Sequence, residues 1–163
     1  QPEVVIGAGT LAAEIEADAG LPGRVLVSVG GGGLIGGIAA WFGRRCRVEG
    51  VEPALAPTLH AARQAGQRID VAVGGVAADS LGAQRVGQIA WDVAQRFVAD
   101  SHLLGDDDIR AAQRRLWKDF HLAVEPGAAL GPAALWAGIV KPAPDERIAL
   151  VLCGANVDPA SLA

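Results

Sequence analysis

Four consecutive glycines at positions 30–33 stand between an apolar, β-rich run, Val25-Leu26-Val27-Ser28-Val29, and a helix-like stretch that begins at Leu34. No other feature constrains the fold as tightly. Backbone without Cβ atoms can come close to an anion. A helix that starts where the glycines end turns its free N–H groups and the positive end of its dipole toward the same point. Strand, glycine turn and helix in that order predict a phosphate cradle at the edge of a sheet. A flexible linker of equal glycine content would be flanked by polar, unperiodic sequence, and this one is not.

Short apolar runs alternate with longer stretches of helical periodicity along the whole chain. The pattern predicts one α/β domain over residues 1–163, three-layered, with a mostly parallel sheet and flanking helices. Strands are expected at 25–29, 47–51, 97–104 and 148–152, and helices at 10–19, 34–42, 56–65, 83–96, 107–120 and 128–138. Asp106 and Asp107 precede Ile109 and read as an acidic helix start. Ile109, Ala112, Leu116 and Phe120 recur at helical spacing and read as core.

With 51% hydrophobic and 20% charged residues, the 163-residue chain can bury one sizeable core. Its formal net charge is −4 and it has no long basic run, which argues against a nucleic-acid partner. Arg44, Arg45 and Arg47 form the one basic cluster, read as a solvated loop after a helix. No apolar run reaches the roughly 18 residues of a membrane span, and no signal-peptide pattern opens the chain, so the expectation is a cytoplasmic protein with no membrane partner. Cys46 and Cys153 have no disulfide or metal-knuckle spacing and read as free thiols. The chain opens on Gln1-Pro2-Glu3 without a methionine, as expected of a trimmed or processed piece.

From the residues alone, the glycine loop has two readings. Gly31-x-Gly33-x-x-Gly36 matches the dinucleotide fingerprint, and Glu52 closes the next strand about 20 residues on, where a ribose-binding acid would stand. That is the NAD(P)-binding Rossmann reading. Four adjacent glycines also suit a tighter wrap around one terminal phosphate. Glu52 itself reads as a strand-end acid, a ribose ligand or a metal ligand.

Several blocks in order resemble the pyridoxal-phosphate-dependent (fold type II) serine/threonine dehydratase family. They are Val5-Ile6-Gly7-Ala8-Gly9-Thr10, Val29-Gly30-Gly31-Gly32-Gly33-Leu34-Ile35-Gly36-Gly37, Gly50-Val51-Glu52-Pro53, Val76-Ala77-Ala78-Asp79-Ser80-Leu81, Val124-Glu125-Pro126-Gly127-Ala128 and Val151-Leu152-Cys153-Gly154-Ala155-Asn156-Val157-Asp158. The resemblance covers essentially the whole chain but only the C-terminal half of a family member. It implies the large domain of such an enzyme, incomplete at its N-terminal side.

What the resemblance implies can be placed residue by residue. The amides around Gly30, Gly31, Gly32, Gly33 and Leu34 would bind the phosphate of pyridoxal 5′-phosphate. Cys153 would face the pyridine nitrogen, where a thiol does not hold the ring protonated as a carboxylate would. Glu125 would lie close to ring and substrate. Asp79-Ser80 departs from the more usual Asp-Gly and reads as loop caps. Some relatives bind a divalent cation through residues matching Glu52, the carbonyl of Ala56 and a carboxylate at position 58. Thr58 lacks that carboxylate, so cation binding is expected to be weak or absent.

His60, His102 and His121 are scattered and read as surface or capping residues. The family's Schiff-base lysine block and substrate-carboxylate loop do not occur. Lys118 and Lys141, the only lysines, read as solvated surface. The implied parent enzyme is a homodimer that carries the missing N-terminal half. It would eliminate the β-hydroxyl of serine, threonine or a similar amino acid, giving a 2-oxo acid and ammonia, with this chain inactive alone. A cysteine-synthase-like lyase is the runner-up within the same cofactor class.

Overall fold

The computed structural model describes residues 1–162. Four parallel strands form one sheet in the order β3-β2-β1-β4: β1 is Arg24–Ser28, β2 Arg47–Pro53, β3 Val98–Leu104 and β4 Ile148–Leu150. Strand β1 is buried along nearly its whole length because it sends alternate side chains into two cores. Val25 and Val27, with Val29 just beyond the strand, face α1 (Pro2–Ala19), α2 (Gly33–Phe42), α3 (Thr58–Ala65) and α4 (Gln88–Phe97). Leu26 faces α5 (Asp106–Phe120) and α6 (Leu130–Trp136). The result is the expected three-layer α/β arrangement. Among the described residues no helix is long and apolar enough to cross a membrane.

Boundaries differ from the sequence expectations for identifiable reasons. Helix α1 starts at Pro2, not near residue 10, because a proline needs no hydrogen-bond acceptor in the first turn. The Gly7-Ala8-Gly9 block therefore lies inside the helix. The expected helix at 83–96 begins only at Gln88, after an extended Gly87. Helix α3 begins at Thr58, after Pro57. The stretch 126–138 opens as a 3-10 turn, Pro126–Ala129, before α6. Strand β4 stops at Leu150, since Val151 reaches the Leu26 carbonyl only at 3.4 Å, and its outer edge has no partner strand among the described residues. Phe120, expected in the core, closes α5 and is exposed.

One charged residue is wholly buried on the α5/α6 face of the sheet. Glu49 is held there by Arg24 (3.4 Å), by Arg47 and by His102 Nε2 (3.0 Å). His102 therefore serves the sheet, contrary to the surface reading. His121 does cap α5, in a left-handed conformation.

Helices α1 and α2 cross backbone to backbone. A Cβ on Gly37 would lie 2.5 Å from the Gly9 nitrogen and 2.7 Å from the Ala8 Cβ, whereas one on Gly7 would meet nothing within 4 Å. Gly37→Ala should lower stability by about 2 kcal/mol through overpacking, while Gly7→Ala should raise it by about 0.5 kcal/mol through helix propensity. Urea-unfolding midpoints of the two variants provide the check.

Candidate functional site

The carboxyl ends of β1 and β4 lie side by side at the point where chain order reverses across the sheet, the place where open α/β folds form a crevice. A cleft of about 280 Å³ occupies it, lined by Ser28, Gly30, Gly31, Gly32, Gly33 and Leu34 on one side and by the 80–83 loop and Cys153 on the other. The loop amides are available to a ligand. Among the described residues those of Gly31 and Gly32 donate to no backbone carbonyl, and the first-turn N–H groups of α2 have no acceptor within the helix. Free donors and a helix N-terminus converging on one cleft suit a dianion.

The glycines meet a packing demand as well as close approach. Gly32 has φ +84°, and a Cβ there would stand 2.8 Å from the Ala90 Cβ and 2.9 Å from Val86 Cγ2. For that residue the obstruction is helix α4 and the chain before it, not the cleft expected from sequence.

Cys153 lies at the cleft mouth. Although the residue is exposed, enough protein surrounds the sulfur that desolvation raises the thiol pKa, and the negative charge of Glu125 adds to the rise. Glu125 comes near because its amide donates to the Gly154 carbonyl at 3.1 Å and its carboxylate packs on the Gly154 backbone, where a Cβ would collide with it. Beneath the thiol, the buried Ser28 hydroxyl donates to the Gly127 carbonyl at 2.6 Å and ties β1 to the turn after Glu125. The structure thus brings Cys153 to the glycine loop and Glu125 to Cys153, but Glu125 does not line the cleft.

Glu52 does not reach the cleft. It is fully buried and accepts hydrogen bonds from the amides of Leu59 and His60, both at 2.8 Å, so it caps α3. Burial pushes its carboxyl up to about 7 against those bonds. Such a carboxylate has no access to a ribose, which removes the dinucleotide reading built on it. Thr58 Oγ1 lies 2.6 Å from the Gly30 carbonyl and 3.2 Å from Glu52, while the Ala56 carbonyl accepts from the Thr58 amide. The candidate cation ligands Glu52 and Ala56 are thus engaged with α3, and the described residues hold no cluster of three His, Cys, Asp or Glu side chains suited to a metal.

His60 is half-buried against Ser101. Lys118 and Lys141 are both exposed, on α5 and in the loop before β4, and neither lines the cleft. Asp106 does more than favour a helix start: its Oδ2 accepts from the Val76 amide and tethers the 75–83 loop.

Sequence reasoning missed Ser28 and the position of Ser80. A serine among valines in a buried strand was the available signal for the first. Ser80, expected to cap its loop, reaches the Ala77 carbonyl only at 3.4 Å and instead stands on the cleft wall beside Gly127.

Residues 1–154 match the family described as pyridoxal-phosphate dependent enzymes. The chain belongs to that family. It is 35% identical over 162 residues to the phenylserine dehydratase of Ralstonia pickettii, covering 98% of this chain and 50% of that protein. To the mitochondrial threonine dehydratase of Saccharomyces cerevisiae it is 36% identical over 168 residues, covering 96% of this chain and 29% of the relative. The solved structure of the T.th. threonine deaminase superposes with a TM-score of 0.88 at 31% identity, covering 97% of this chain and 59% of that one. The chain therefore spans about half or less of the length of these curated relatives.

The residues present fit the family's cofactor. The cleft is larger than a phosphate, its amides and helix terminus suit the phosphate dianion, and a thiol whose pKa burial raises lines the same cleft. Because burial pushes the Cys46 thiol up to about 11, alkylation near pH 8 reads Cys153 alone. Glu125→Gln removes a charge that raises the Cys153 pKa, so iodoacetamide should modify this pyridoxal-phosphate-family chain a few-fold faster at pH 8, as followed by mass spectrometry.

Proposed function

We propose that residues 1–163 form the phosphate-binding α/β domain of a lyase that uses pyridoxal phosphate to remove the β-hydroxyl of a hydroxy amino acid, giving a 2-oxo acid and ammonia. The observation that carries the reading is the shared cleft of the glycine loop and Cys153, within a family match over residues 1–154. The names of the dehydratase and deaminase relatives support the reaction class.

When bound, the cofactor supplies an electron sink for the charge left at the substrate's Cα, so that the β-hydroxyl can depart. The chain's own residues have separate tasks. The amides of Gly31, Gly32, Gly33 and Leu34 and the α2 N-terminus hold the phosphate. Cys153 would face the pyridine nitrogen with a thiol whose pKa is raised by burial and, to a lesser degree, by the charge of Glu125. The lysine that binds the cofactor and the loop that grips the substrate carboxylate come from the missing half, because neither Lys118 nor Lys141 lines the cleft. The proposed assembly is a homodimer acting on a small amino acid.

Full-length protein should release ammonia and a 2-oxo acid from serine, threonine or phenylserine, detected by coupled reduction of the oxo acid. Turnover of O-acetylserine with sulfide and none of the hydroxy amino acids would transfer the protein to cysteine-synthase-like chemistry. Absence of any turnover, with no cofactor absorbance, would overturn the proposal.

A further inference from the structure

A peptide unit is rigid and trans, so its carbonyl and its N–H point in opposite directions; the described residues contain no cis peptide. Whatever grips the Gly30 carbonyl therefore also aims the Gly31 amide. Thr58 is fully buried, and its hydroxyl lies 2.6 Å from that carbonyl and 3.2 Å from Glu52 Oε1. A hydroxyl has one proton to donate, and the shorter contact takes it. Thr58 is not part of the cleft wall, so the Gly30 carbonyl is drawn away from the cleft and the Gly31 N–H is turned toward it. The next peptide is held in the same way: the Gly31 carbonyl accepts from the Gly87 amide at 2.9 Å, from outside the cleft, which aims the Gly32 N–H inward.

We propose that Thr58 is a positioning residue for the cofactor phosphate, its hydroxyl fixing the Gly30–Gly31 peptide so that the Gly31 amide is already aimed at the anion before the anion arrives. Glu52 sets the place of Thr58, because its carboxylate holds the Leu59 and His60 amides and so fixes the first turn of α3. Four glycines in a row are free to flip their peptide planes. Unbraced, the loop would have to find the binding orientation during association and would bind more weakly for it. Braced from α3 on one peptide and from Gly87 on the next, it meets the phosphate in the binding orientation.

The inference rests on the phosphate-binding role of the cleft and is tested with the full-length apoprotein, using pyridoxal phosphate and pyridoxal as paired probes. Thr58→Val keeps shape and removes the hydroxyl. It should weaken pyridoxal phosphate binding about tenfold, the scale of one charge-assisted hydrogen bond, while leaving pyridoxal unchanged, and Thr58→Ser should restore the original ratio. Equal loss for both probes, no loss for either, or a Thr58→Ser variant as impaired as Thr58→Val would overturn the assignment. If Thr58→Val does not fold, Thr58→Ala is judged by the same ratio, and failure of both to fold overturns a local role. A wild-type protein that binds neither probe would instead sink the functional reading beneath it.

Discussion

The direction of strand β1 governs the site. Running parallel between β2 and β4, it brings two carboxyl ends to one edge, so the glycine turn that follows β1 and the cysteine that follows β4 meet although most of the chain separates them. Helix α2 then starts at the only place where its N-terminus can serve the same cleft. An antiparallel β4 would put Cys153 at the far end of the sheet. Behind this arrangement, Gly9 and Gly37 let the backbones of α1 and α2 approach closely.

Much of this was legible in the sequence because its signals are local. The valines of β1, the glycines after it and the apolar spacing of α5 each declare an element without reference to distant residues. The helix before Thr10 was not legible, since glycines at positions 7 and 9 argue against a helix, and only the packing of Gly9 on α2 gives one of them a reason to be there. The loop at 83–87 was hidden for a similar reason. Ala83, Gln84 and Arg85 suit a helix, but Gly87 is committed to the Gly31 carbonyl.

Within the site, the glycine loop carried its own signal, Cys153 was placed only by the family resemblance, and the positions of Glu125 and Glu52 were not legible. A strand-end glutamate reads alike whether it faces a ligand or turns inward. Only packing shows that Glu52 meets the amides of α3 and that Glu125 folds against Gly154. Serine and threonine are the hardest to place, because a hydroxyl is neutral and small enough for core or surface. Ser28 and Thr58 both proved to be ties between neighbouring elements, each gripping a backbone carbonyl at 2.6 Å.

The outer side of β4, unpaired among the described residues, has a further consequence. Three residues of strand leave a row of backbone donors and acceptors that any extended segment can continue in register, whether from the same polypeptide or another. Handled by itself, this polypeptide would invite edge-to-edge stacking, and the crevice beside that edge would be the first region disturbed by an intruding strand. Solubility and ligand capture are thereby coupled through a single short ribbon of chain.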